Sequence, residues 1–231
     1  MQIVIQRKVK DAMLEKITLT TKPICETLTS ISFAVKRSLN PGEAIVHQGR
    51  RVYEVHFLVS GFVKLQHTTA DGVNAITEII APGHAVNIEA TLLDCESDYS
   101  AISMTTCSIQ SVPREKFCMH CSTDRNLFCS LHRHYAQHTM QFRNRHLAAL
   151  SGSYAKQFLS HLAPLFCDKE ILSGTHPIPL QQREIASILS VTPEHFSTIL
   201  DRLEKEGMIV RWKRSVYLGP AATKMLIQDT A

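Results

Sequence analysis

Residues 117–134, FCMHCSTDRNLFCSLHRH, hold three cysteines and three histidines in eighteen positions. Thiolates are soft ligands suited to iron–sulfur clusters, zinc or Cu(I), and imidazole is a borderline donor. Cys118 and Cys121 form a C-x-x-C pair, Cys129 lies eight residues on and Cys107 eleven before, so these four are the thiol quartet nearest in sequence. His134 and His138 are four apart and share one face of any helix they occupy, where they could chelate or stack. The same residues have a plain structural explanation. Free cysteine often only fills buried space, and a lone C-x-x-C lacks the second pair of a zinc ribbon. His84, after the turn Pro82-Gly83, could ligate haem or be an ordinary histidine. The cofactor therefore stays open between an iron–sulfur cluster, haem, another metal and none.

These residues need elements to position them. From about 39 to 115, short runs rich in Val, Ile, Phe and Thr alternate with turn signals at Pro41-Gly42, Gly49, Asp71-Gly72 and Pro82-Gly83. That spacing predicts an all-β roll, with Asp71-Gly72 as its clearest hairpin. From about 114 to 150 the turn signals vanish. Phe128, Leu131, Tyr135, His138, Phe142, Arg145 and Ala149 recur at alternating steps of three and four, the seam of a long helix suited to a twin. Ser151-Gly152-Ser153 makes a hinge. The lead-in, 1–38, is mixed and is expected to hold short helices.

Residues 180–206, LQQREIASILSVTPEHFSTILDRLEKE, give the strongest local signal. A first helix buries Ile185, Ile188 and Leu189; the turn Ser190-Val191-Thr192 follows. Thr192 then caps a second helix, Pro193 opens it and Glu194 sits in its first turn. Phe196, Ile199, Leu200 and Leu203 form its buried face, leaving Glu194, His195, Ser197, Thr198, Asp201 and Arg202 outward. Two short helices at a tight turn are the helix-turn-helix layout, whose second helix enters the DNA major groove. MIVRWKRSVYLGP reads as a hairpin wing with Arg211, Lys213 and Arg214 near its tip, suited to phosphates. The candidate DNA contacts are Thr192, Glu194, His195, Ser197, Thr198, Arg202, Arg211, Lys213 and Arg214.

Charge agrees. The chain carries +4 overall, yet residues 41–123 hold nine acidic against five basic residues, which argues against nucleic acid on the roll. No run approaches the ~20 apolar residues needed to span a bilayer, and MQIVIQRKVKDAMLEKITLTT lacks an apolar core followed by a small-residue cleavage site. No membrane partner and a cytoplasmic location are expected, with the seven cysteines read as thiols, ligands or redox groups.

From about residue 20 the chain resembles the CRP/FNR family of bacterial transcription regulators. LNPGEAIVHQG, FLVSGFVKL and DGVNAITEIIAPG are similar to its effector roll, the long helix to its dimerisation helix, and the C-terminal region to its winged helix-turn-helix. The resemblance implies an α+β fold in three parts. These are a β-roll effector domain of cupin or jelly-roll type (1–123), a dimerisation helix and hinge (124–152), and a winged helix-turn-helix (153–231). It also implies a homodimer on a palindromic operator in double-stranded DNA, with RNA polymerase as a further partner.

The departures bear on the signal. Family members that bind cyclic AMP hold it with a Gly-Glu pair and, some ten residues later, an Arg-Ser pair. Here Glu89 and Ser100 remain, but Ile88 and Tyr99 stand at the glycine and arginine sites. Losing the arginine removes the charge-assisted phosphate contact. The effector-pocket candidates are His84, Glu89, Tyr99 and Ser100. The N-terminal cysteine cluster of the iron–sulfur oxygen sensors is absent, with Cys25 alone before the roll. In the recognition helix, Glu194 and Ser197 fit the family's Glu-x-x-Ser-Arg pattern while Thr198 replaces the arginine, so that the guanine-reading contact is lost or moved, for instance to Arg202.

The leading expectation is a DNA-binding regulator sensing a redox or gaseous signal through metal, haem or thiols at Cys107, Cys118, Cys121, Cys129, His134 and His138. The alternative is control by a small organic effector in the roll. A thiol oxidoreductase is the remote third, because the C-x-x-C does not open a helix within a βαβ unit and no catalytic triad accompanies it; the chain is not expected to be an enzyme.

Overall fold

The computed structural model describes residues 34–228; the short helices expected in the lead-in, and Cys25, fall outside them. The chain divides into two compact units, one running through Met140 and the other from Gln141 onward.

The first unit is built on eight strands: β1 (Val35–Leu39), β2 (Ala44–Val46), β3 (Glu54–Ser60), β4 (Val63–Thr68), β5 (Asn74–Ile80), β6 (Ala85–Val86), β7 (Ser100–Ser103) and β8 (Cys107–Pro113). They form two four-stranded antiparallel sheets, ordered β1-β8-β3-β6 and β2-β7-β4-β5. Asp71-Gly72 lies in the loop joining β4 to β5, closed by Thr69 N–H donating to the Val73 carbonyl at 2.9 Å.

Alternation along the strands explains the two cores. Leu39, Leu58, Val63, Leu65, Ile80, Tyr99, Ala101, Cys107 and Ile109 fill the interior cluster. Val55, Phe57 and Val112 point the other way and pack with Phe117, Leu127 and Leu131 from the helices that follow. Gly61 permits the tight link from β3 to β4: its φ is +85° and a Cβ there would stand 2.4 Å from the Thr106 carbonyl oxygen.

Helix α1 (Ile88–Leu93) lies between β6 and β7; α2 (Arg114–Thr123) follows β8 directly. Asp124 breaks the helical run: its Oδ1 accepts from the N–H groups of Asn126 and Leu127, capping α3 (Arg125–Leu150). The expected seam is thus shared out. Leu131 and Tyr135 pack against the roll, while Phe128 and Phe142 remain exposed, as do Met140, Leu147 and Leu150 outside the seam.

The second unit holds α4 (Tyr154–Leu162), a 3₁₀ turn (Ala163–Cys167), α5 (Lys169–Leu172), α6 (Gln182–Ile188), α7 (Pro193–Lys205), β9 (Ile209–Trp212), β10 (Ser215–Leu218) and α8 (Pro220–Gln228). Phe158, Leu162, Leu165, Leu172, Ile185, Leu203, Ile209 and Val216 are buried in it. Gly219 closes the hairpin against the turn that follows α7. Its N–H donates to the Met208 carbonyl at 2.8 Å, and a Cβ would stand 2.2 Å from the Gly207 oxygen. Among the described residues no helix is long and apolar enough to cross a membrane.

Candidate DNA interface and sensor site

Residues 189–192 join α6 to α7, with Ser190 in the left-handed region at φ 54° and Thr192 Oγ1 accepting from the His195 N–H at 3.5 Å. Phe196, Ile199, Leu200 and Leu203 turn inward, and His195, Ser197, Thr198, Asp201 and Arg202 are exposed. Helical periodicity produces this division, since the four apolar residues repeat at steps of three, one and three. Glu194 is the second residue of α7. His195 Nε2 approaches Tyr154 Oη at 3.4 Å, and Arg202 Nε donates to Glu206 at 2.9 Å.

The wing candidates separate by their partners. Arg211 Nε donates to Glu204 Oε2 at 2.8 Å and its terminal nitrogen to Asp201 at 2.7 Å. Those hydrogen bonds push the Arg211 guanidinium pKa up and hold Glu204 below the usual carboxylate value. Arg211 therefore ties the wing to α7, with its charge already balanced. Lys213 and Arg214 form the two-residue tip and are exposed, Lys213 at φ 53°.

Of the four pocket candidates, Glu89 and Tyr99 are engaged with each other, while Ser100 and His84 have other partners. Tyr99, 7% exposed, donates its hydroxyl to Glu89 Oε1 at 2.9 Å and accepts from the Asn87 N–H at 2.8 Å. Burial, and then the Glu89 charge, raise the Tyr99 pKa. Asn87, at φ 59°, reaches β3 through Nδ2 to the Glu54 carbonyl at 2.8 Å. Ser100 Oγ accepts from the Gln48 N–H at 3.0 Å. Glu89 thus meets a phenol hydroxyl here. Asn87 is a residue that sequence reasoning passed over; an asparagine between an apolar strand and a helix start was the available signal.

The four thiols do not gather at one point. Cys107 sits in the interior cluster of the roll, its Sγ donating to the carbonyls of Phe62 and Thr105. Cys118 and Cys121 are in mid-helix on α2 against the outer cluster, and Cys129 is exposed on α3. Burial raises Cys107, and pushes Cys121 up to about 11 with help from Cys118. Raised thiol pKa values disfavour the thiolate that ligation or redox chemistry uses.

The histidines do come together. The rings of His84 and His134 stand 5.4 Å apart and those of His134 and His138 6.4 Å apart. His138 Nε2 meets Glu78 Oε2 on β5 at 2.8 Å. Burial lowers His84, and brings His134 down to about 4 with His84 and His138 adding to the effect. Glu78 was missed by sequence reasoning, because it lies far from α3 in the chain and no local pattern marks it.

A winged helix-turn-helix with a solvent-facing recognition helix, joined through a long helix to a double-sheet roll, defines a DNA-binding protein with a separate regulatory domain. Comparison with known proteins agrees. Residues 36–124 match the family described as "Cyclic nucleotide-binding domain" and residues 156–219 the "Crp-like helix-turn-helix domain". FixK2 from Bradyrhizobium japonicum is 20% identical, with 84% of this chain and 96% of that one covered at a TM-score of 0.65. The c-di-GMP-responsive global regulator CLP of Xanthomonas campestris is 12% identical (85% and 98% covered, TM-score 0.69). A transcriptional regulator of the CRP family from Thermus thermophilus is 19% identical (83% and 96% covered, TM-score 0.62). The search of curated proteins returned no match. With both domains in this order, the chain belongs to the CRP/FNR family, and it is a DNA-binding transcription regulator of that type.

Proposed function

We propose that the protein is a cytoplasmic homodimer that binds a palindromic operator, contacts RNA polymerase and answers a redox or gaseous signal through coordination or thiol chemistry, with no enzymatic turnover. The observation that carries this reading is the Tyr99–Glu89 pair, which spends the roll's pocket on internal hydrogen bonds where a cyclic nucleotide would need a cation. The exposed Phe142, Leu147 and Leu150 on α3 supply apolar surface for a twin helix. Glu194, Ser197, Thr198 and Arg202 read bases; Lys213 and Arg214 hold phosphates.

A small organic effector is the second reading, favoured by the match of residues 36–124 to cyclic nucleotide-binding domains. One experiment separates the two. Protein purified without oxygen is used to select duplexes from a random pool, and binding to the winner is then measured against oxidant, carbon monoxide, nitric oxide and cyclic nucleotides. An inverted repeat with half-sites about one helical turn apart, and affinity that moves with the first three, supports the proposal. Affinity that moves only with a nucleotide replaces it with the second reading.

A further inference from the structure

Four ligand-type side chains from three places in the chain meet between α3 and the roll: His134 and His138 on α3, His84 in the loop before β6, and Glu78 on β5. We propose that His84, His134 and His138 hold a divalent transition-metal ion of the zinc, cobalt or nickel kind, with Glu78 as the carboxylate that orients His138.

Rings on one tetrahedral ion, at Zn–N bonds of about 2.0–2.1 Å, stand roughly 5 Å apart centre to centre. The 5.4 Å between His84 and His134 is near that value, and the 6.4 Å between His134 and His138 is more than an ångström wider. Two histidines four apart on a helix form a ready chelate, and a third from a distant loop completes a nitrogen set that suits zinc, nickel or copper over magnesium or calcium. Glu78, at 2.8 Å from His138, is the carboxylate partner that a metal-bound histidine ordinarily has.

The rings have not closed on one point: among the described residues no group of three or more His, Cys, Asp or Glu is set to hold a metal ion as it stands. Binding calls for the imidazoles to turn about their side-chain torsions. Closure would draw α3 toward β5 and the loop at His84, tying the helix to the roll. That the ion acts as a signal rests on the roll being the sensor; that it binds does not.

The test uses the untagged full chain, stripped of metal with a chelator and titrated with Co(II) in the visible range, then with Zn(II) in competition. The expected result is one ion per chain with the d–d bands of a nitrogen site. Binding should weaken at least tenfold in His134→Gln and His138→Gln, and about ten- to a hundredfold in Glu78→Gln. His138 is partly exposed, so His138→Gln keeps the test open should the deeper His134→Gln disturb folding. Cys118→Ser with Cys121→Ser should leave binding unchanged. Cobalt binding lost with the cysteines and kept without the histidines, or no binding at all, overturns the proposal. DNA affinity is read in parallel. Histidine-dependent binding that leaves DNA affinity unmoved supports the site and removes the ion from the sensing reading. An oxidant response without any metal binding overturns the site and leaves that reading standing.

Discussion

The DNA-binding unit and the roll differ in how each gathers its working residues. In the first, cap, recognition helix and wing occupy one unbroken stretch, from Gln181 to Leu218, and neighbours in sequence are neighbours in space. In the roll, Glu54, Asn87, Glu89 and Tyr99 converge from a strand, two loops and a helix, and Glu78 meets His138 across sixty residues. A surface that must fit DNA can be presented by one rigid helix. A site assembled from distant segments depends on the folding of the whole roll.

Substitutions can break this contrast, beginning with the largest expected effect. Gly61→Ala puts a Cβ against the Thr106 carbonyl at a positive φ. It should destabilise the roll by about 2–5 kcal/mol, measured by urea unfolding followed at the roll, and a loss under about 1 kcal/mol would mean the β3–β4 link relaxes freely.

Acid should separate the units next. His56, buried and hydrogen-bonded to Ser111 Oγ at 2.8 Å, has its pKa brought down to about 4 by burial, with Arg37 adding. The unfolded chain takes up this proton near pH 6.5 while the folded roll refuses it until about 4. Its stabilising contribution is therefore full above about 6.5 and is lost as pH falls toward 4, roughly 3 kcal/mol in all. Urea midpoints across that range should fall for the native chain and less steeply for His56→Gln.

Glu194→Ala should cost about 1–3 kcal/mol on the selected operator while leaving random duplex binding unchanged, since a carboxylate can accept from cytosine N4. Equal loss on both would show that Glu194 does not read bases. The smallest effect compares two arginines of the wing. Arg214→Ala should reduce the slope of log affinity against log salt by about one. Arg211→Ala should leave that slope alone and cost no more than about 1 kcal/mol of stability, because Asp201 and Glu204 already hold it.

The same contrast explains how much was legible in the sequence. Thr192, the 3–4 spacing of Phe196 to Leu203 and the glycine-marked strands are local signals, and they foretold the recognition helix and the roll. Partnership was not local. Nothing near Arg211 in the chain announces that Asp201 and Glu204 engage it, and nothing near His138 announces Glu78. The thiols misled by proximity: Cys107 and Cys118 are eleven apart, yet alternation on β8 sends one into the roll while the other lies on α2 against the outer cluster. The long helix kept its period, but Asp124 set its start and the roll took Leu131 and Tyr135 from the seam.

The most direct test of a sequence-specific regulator is the ratio of affinities for the selected operator and a scrambled duplex, by fluorescence anisotropy at one stated salt concentration. The account predicts a ratio of roughly 10³ or more. Equal affinity for the two duplexes would contradict it.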